Sequence, residues 1–225
     1  MANTFRDMIA ATSEFQTIAG QPNELTEWND SYTSILNAKR NFIHEELEEL
    51  EDALQIDEQR IQSIETLDAL VDICYFIAGY YSTFGPILKS NGRPFPEWNW
   101  VVGRNPIQDG FRLPEISPGL QGLLDFDFAV RDLLAATHCT ARFHGSPLMR
   151  GFDLVHKNNM TKPCSSQEEA EKTIQSLLPL KCSFTETTLA SGRVVYPVKV
   201  DEGQKMAGKL MKSVLYVPVD LSGLC

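Results

Sequence analysis

Basic residues are scarce in this chain. Among 225 residues, 20 Lys and Arg stand against 30 Asp and Glu, a formal net charge of −10. A surface of that sign repels a phosphate backbone, so a nucleic-acid duplex is excluded as the expected partner. Cysteine is sparse too: Cys74, Cys139, Cys164, Cys182 and Cys225 are odd in number, widely spaced and form no C-x-x-C pair. They read as reduced thiols in a cytosolic protein. Long apolar runs are missing. The most apolar stretch, Leu67 to Leu88, carries Asp68 and Asp72 and contains Gly79 and Pro86, which excludes it as a membrane span. The first residues show no basic segment followed by an apolar core, so no signal peptide is expected. Internal repeats and low-complexity tracts are absent.

What remains is an ordinary globular composition, 43% hydrophobic and 22% charged, long enough to bury a core without disulfide or metal staples. One domain over residues 1–225 is expected. Its acid is concentrated. Glu45, Glu46, Glu48, Glu49, Glu51, Asp52, Asp57 and Glu58 lie together with no Lys or Arg among them. The rest of the chain is nearly neutral.

The local patterns predict a mostly helical fold. Thr4 is placed to cap a first helix to about Ile18, stopped by Gly20 and Pro22. Asp30 or Ser31 opens a longer helix to about Gln55, with Ile43, Leu47, Leu50 and Leu54 forming a core-facing stripe. A third helix is predicted from about Glu58 to Tyr81. Gly85-Pro86 breaks it, and Asn91 to Pro118 reads as irregular. Helices are expected again over Leu120–Thr140 and Leu148–Asn158. Ser165 with Glu168 forms the signature of a capped helix start. From Ser183 to Val200 the β-branched residues around Ser191-Gly192 predict a hairpin.

On the second helix, at about 100° per residue, Glu46 falls about 60° from the centre of the apolar stripe and Glu49 about 120°, on the same side. Glu45 sits just behind them. On the third helix Glu65, Asp68 and Asp72 share an arc of about 60°, while apolar residues fill most of the remainder. Carboxylates on a buried helix must be paired, protonated or bound to cations. Lys39 and Arg40 precede the acids and are too few to pair them. Carboxylate-only oxygen ligands suit Mg²⁺ or Mn²⁺ rather than zinc. His138-Cys139 with His144 matches no zinc spacing, and no Glu-x-x-His pair supports a di-iron bundle. A run of acids is also what a solvated helix face looks like.

Two motifs together resemble a family. Glu45-Glu46-Leu47-Glu48-Glu49, 15 intervening residues, then Glu65-Thr66-Leu67-Asp68 is similar to the E-E-x-x-E…E-x-x-D pattern of the all-α nucleoside triphosphate pyrophosphohydrolases. This is the MazG-like group, which includes dimeric dUTPases and phosphoribosyl-ATP pyrophosphohydrolases. The continuation Asp68-Ala-Leu-Val-Asp72-Ile-Cys-Tyr75, then Gly79, resembles its phage and bacterial branch. So does Phe152-Asp153-Leu-Val-His156-Lys157-Asn-Asn159-Met160-Thr-Lys162, and the helix ending Glu14-Phe15 to Gly20-Gln21-Pro22. The resemblance covers roughly residues 5–82 and 145–180, and extends less closely over 192–224. Residues 85–144 depart from it as an insertion, expected to form a lid or an oligomer contact.

The resemblance implies an all-α bundle completed by oligomerisation, as a homodimer or homotetramer, with a short extended C-terminal segment. It implies hydrolysis of a (d)NTP, a purine deoxynucleotide such as dGTP foremost, to the monophosphate and pyrophosphate. Glu46, Glu49, Glu65 and Asp68 would be ligands of two or more Mg²⁺ or Mn²⁺ ions. Glu45 would orient or deprotonate the water, with Asp72 an outer group. Asn159, Lys162 and Lys157 would bind the phosphates, although they equally suit an ordinary helix C-terminus, and His156 reads equally as packing. Phe15, Trp28, Trp98 and Trp100 are aromatics for a base or for the core. The expected location is cytoplasmic, the host's if the chain is phage-encoded. The alternatives are a non-catalytic helical protein whose acid face binds a cation or a partner, and a dUTPase-type pyrophosphatase.

Overall fold

The computed structural model describes residues 4–97, 106–107, 111–189, 191–204 and 208–225. It is mostly helical, with a small C-terminal strand segment. The α-helices are α1 (Phe5–Ala19), α2 (Thr33–Leu54), α3 (Gln59–Ser90), α4 (Gly119–His144), α5 (Leu148–Asn159) and α6 (Gln167–Ser176), followed by strands β1 (Cys182–Phe184), β2 (Thr187–Thr188), β3 (Val194–Val195) and β4 (Val198–Val200). Backbone contacts divide the chain into two compact units, one of Met1–Thr12, Glu24–Leu154 and Asp220–Cys225, the other of Ser13–Asn23 and Val155–Val219.

The first unit is built on α2 and α3. Four residues, 55–58, join them, which forces the two helices into an antiparallel hairpin, and they form the most extensive helix pairing in the fold. The stripe Leu36, Lys39, Ile43, Leu47, Leu50 and Ala53 of α2 is buried. Of the expected stripe, only Leu54 is half-exposed, at the last residue of the helix.

Helix α3 continues nine residues past its predicted end at Tyr81, through Pro86. Proline has no N–H, so the Ser82 carbonyl one turn earlier loses its helical donor. The Glu24 and Leu25 N–H groups donate to the Ser82 and Thr83 carbonyls instead, each at 2.9 Å. Gly85 is equally well explained, since a Cβ there would lie 2.4 Å from the Phe95 ring.

Much of the expected insertion is core rather than lid. Leu123, Phe126, Val130, Leu133 and Leu134 of α4 are buried, and Tyr80 meets Phe126 edge to face at 5.8 Å. Asp127 is fully buried, accepting from the Tyr81 hydroxyl at 2.8 Å and from Arg131 Nε at 2.6 Å. The chain thus packs its own α4 against α3. Gly145, in the left-handed region at φ 68°, ends α4.

In the second unit, Ser166 Oγ accepts the Glu169 N–H while the Glu169 carboxylate accepts from Ser165 N and Oγ. The capping box is therefore one residue later than the Ser165/Glu168 pair expected. Glu168 is left free to pair with Lys172 at 2.7 Å. The expected hairpin forms: β2 pairs antiparallel with β3, and Gly192, φ 81°, makes the turn. Outside it β1 pairs antiparallel with β4, with Ser183 opposite Lys199. Cys164, Ala170 and Val198 form one small core, and Ile18, Leu189 and Val195 another.

Candidate active site

The acidic residues of α2 and α3 come together in the first unit because the hairpin sets the two helices side by side. Antiparallel pairing runs the two series in opposite directions, so Glu46 of α2 meets Asp72 of α3, and Glu49 meets Asp68. Glu46, Asp68 and Asp72 are half-buried, whereas Glu45, Glu49 and Glu65 are exposed. Exposure of Glu65 corrects the expectation that all three α3 carboxylates are withdrawn from water. Their shared arc straddles the edge of the buried face.

The electrostatics of this face are strained. Burial, then the neighbouring carboxylates of Asp72, Glu49, Asp68 and Glu45, push Glu46 up to about 8. Its Oε2 is buried and has no hydrogen-bond partner. Asp68 is raised by burial first, then by Glu65 and Glu49. Among the described residues no Lys, Arg or His forms an ion pair with Glu45, Glu46, Glu49, Glu65 or Asp68. Nearby cations are used elsewhere: Arg40 pairs with Glu115 at 2.8 Å and Arg112 with Glu51 at 2.7 Å.

A cation suits this set on chemical grounds. An orphaned, buried carboxylate oxygen among like charges is stabilised by a dication or by a proton, and hard oxygen donors select Mg²⁺ or Mn²⁺. As the side chains stand, no three or more His, Cys, Asp or Glu among the described residues gather into a group that holds a metal ion. Uncompensated carboxylates repel one another at close approach.

Sequence reasoning counted Lys39 only as one of two bases preceding the acids, not as a core residue. It is buried, and burial lowers its ammonium to about 8. It lies seven residues before Glu46 on the same face of α2. The signal was present, because Lys39 occupies a core position between Leu36 and Ile43.

The other expected residues stand in varied settings. Lys157 is exposed at the end of α5, and Asn159 is buried in the second unit. Lys162 is half-buried with its Nζ 5.6 Å from the centre of the Phe15 ring, so Phe15 is engaged by a cation within its own unit. Trp28 packs in the first unit, edge-on to Tyr32 and tilted on Phe84, each at 6.3 Å. Trp98 and Trp100 lie outside the described residues.

No family model and no solved structure matches the chain. No helix among the described residues is long and apolar enough to cross a membrane. The chain is similar to Uncharacterized protein L479 of Acanthamoeba polyphaga mimivirus, 27% identical over 191 residues, covering 73% of this chain and 74% of that protein. The relative's name states no activity, so the likeness transfers none.

Proposed function

We propose that this chain is a metal-dependent nucleoside triphosphate pyrophosphohydrolase of the MazG-like kind, converting a (d)NTP to its monophosphate and pyrophosphate. A purine deoxynucleotide such as dGTP is the first substrate to test. The observation that carries the reading is Glu46: a half-buried carboxylate with an orphaned oxygen, repelled by carboxylates of its own and the partner helix. The ordered pair of sequence motifs supports it.

In this reading Glu46, Glu49, Glu65 and Asp68 hold two or more Mg²⁺ or Mn²⁺ ions. Such ions supply charge neutralisation of the triphosphate and a water acidified toward neutral pH. Glu45, exposed beside this set, takes the proton of the attacking water on a carboxylate oxygen. The water's oxygen joins phosphorus at the α,β-bridge, and the bridging bond breaks to release pyrophosphate. Asp72 stands beside Glu46 as an outer group, and its repulsion favours neutralising that carboxylate by a proton or a cation. The phosphate-binding roles of Lys157, Asn159 and Lys162, and a homodimer or homotetramer, rest on the sequence resemblance alone.

The test is pyrophosphate release from the eight common NTPs and dNTPs with Mg²⁺, with Mn²⁺ and with EDTA. Metal-dependent release from one or two of them is the expected result. Silence across all eight in folded protein rejects the reading. It favours instead a non-catalytic protein whose acidic face takes a cation, detected as thermal stabilisation by metal without turnover.

A further inference from the structure

The carboxylate face of the α2–α3 hairpin carries an aromatic pair. Phe42 and Phe76 stack across the two helices, with ring centroids 5.3 Å apart and planes 17° from parallel. Phe42 precedes Glu46 by four residues and Phe76 follows Asp72 by four, so both rings lie about 6 Å along the helices from that carboxylate pair and on its side of each helix. The face therefore reads in rungs: Phe42 with Phe76, Glu46 with Asp72, Glu49 with Asp68, and Glu65 beyond. Phe42 remains 41% exposed, although the core of the unit is at hand to bury it.

A π-surface thus adjoins a strongly acidic one. A ligand that matches both has a flat aromatic body joined to a polyanion, the polyanion meeting the carboxylates through a cation. Phenylalanine carries no donor or acceptor, so it recognises the face of a ring rather than its edge. We propose that Phe42, its ring plane held by Phe76, is the stacking platform for the nucleobase of a nucleotide whose phosphates lie over the carboxylates. This rests on the pyrophosphohydrolase reading and adds the base subsite to it.

The experiment is calorimetric binding to the full chain with Mg²⁺ present, using two probes: the α,β-imido analogue of dGTP and inorganic tripolyphosphate. Phe42→Leu keeps apolar bulk on Phe76 and removes the π-face; Phe42→Trp restores a π-face. The expected result is that Phe42→Leu weakens the analogue roughly 5- to 150-fold, the range base–aromatic stacking gives on truncation. Tripolyphosphate affinity stays unchanged, and Phe42→Trp retains the analogue. Wild-type affinity of Phe42→Leu for the analogue overturns the subsite while leaving the hydrolase reading standing. Equal loss for both probes also overturns it, because the substitution then acts on the carboxylate face as a whole. A shift from dimer to monomer in sedimentation of Phe42→Leu, with analogue affinity intact, overturns it in favour of a second copy covering the rings. Failure of the wild type to bind either probe strikes the hydrolase reading itself.

Discussion

Glu46 and Asp72 face each other across the α2–α3 hairpin, and after burial itself the Asp72 carboxylate is the largest influence keeping a proton on Glu46. Glu46 rises from 4.5 to about 8 in the folded chain. Between those values the folded state holds a proton that the unfolded state has released, so stability falls as pH rises through this window and levels off above it. Asp68 is displaced in the same direction and adds to the fall. Melting temperatures in EDTA should therefore drop from pH 5 to pH 8, and Glu46→Gln should flatten that slope. Mg²⁺ should restore more stability at pH 8 than at pH 6, since the ion competes with the proton. Identical slopes for wild type and Glu46→Gln count against a strained carboxylate cluster.

Glu49→Gln and Asp68→Asn each remove one charge from the rung below. Turnover should fall by about 100-fold or more, the scale on which ligand and ligand-supporting groups act. Because both substitutions relieve repulsion, the melting temperature in EDTA should hold or rise. Circular dichroism beside the pyrophosphate assay separates the two effects: lost activity with lost helix would mean misfolding, not chemistry.

Gly151 of α5 lets that helix approach α3 closely. A Cβ there would lie 2.8 Å from Val71 Cγ2 and 3.1 Å from Leu67 Cδ1. Gly151→Ala should destabilise the first unit by about 1–3 kcal/mol, the range for overpacking a filled core, with helix propensity offsetting part of it. Urea denaturation measures this directly, and a stabilised variant would show that the helices can separate freely.

Asp127 tests whether α4 is structural. Asp127→Ala leaves the Arg131 guanidinium and the Tyr81 hydroxyl without their shared acceptor, and should cost about 3–5 kcal/mol. Asp127→Asn, which keeps an acceptor but not the charge, should cost less. If α4 were a detachable lid, both variants would melt like the wild type.

Much of the candidate site was legible because it rests on helical periodicity. The 3.6-residue turn places Glu46 and Glu49 on one side of α2, and Asp68 and Asp72 on one arc of α3, whatever surrounds them. The half-burial of Glu46 and the exposure of Glu49 follow from their offsets to the apolar stripe. Lys39 was weighed only as a base preceding the acids, although its spacing from Leu36 and Ile43 puts it inside the buried stripe. Phe42 escaped notice because it lies off the apolar stripe of α2, where a single aromatic carries no signal, and only the partner helix shows that it stacks on Phe76.

By itself the sequence determined the helices, the charge of the α2–α3 face, the left-handed glycine at Gly192 and the hairpin around it, since each depends on residues within a few positions of one another. Tertiary structure decided where α3 ends, that residues 119–144 belong to the core, and which carboxylate carries the strain. A proline stops a helix only when the carbonyl it orphans finds no other donor. Here Glu24, some sixty residues earlier in the chain, supplies that donor to Ser82 at 2.9 Å, and no local pattern around Pro86 records it.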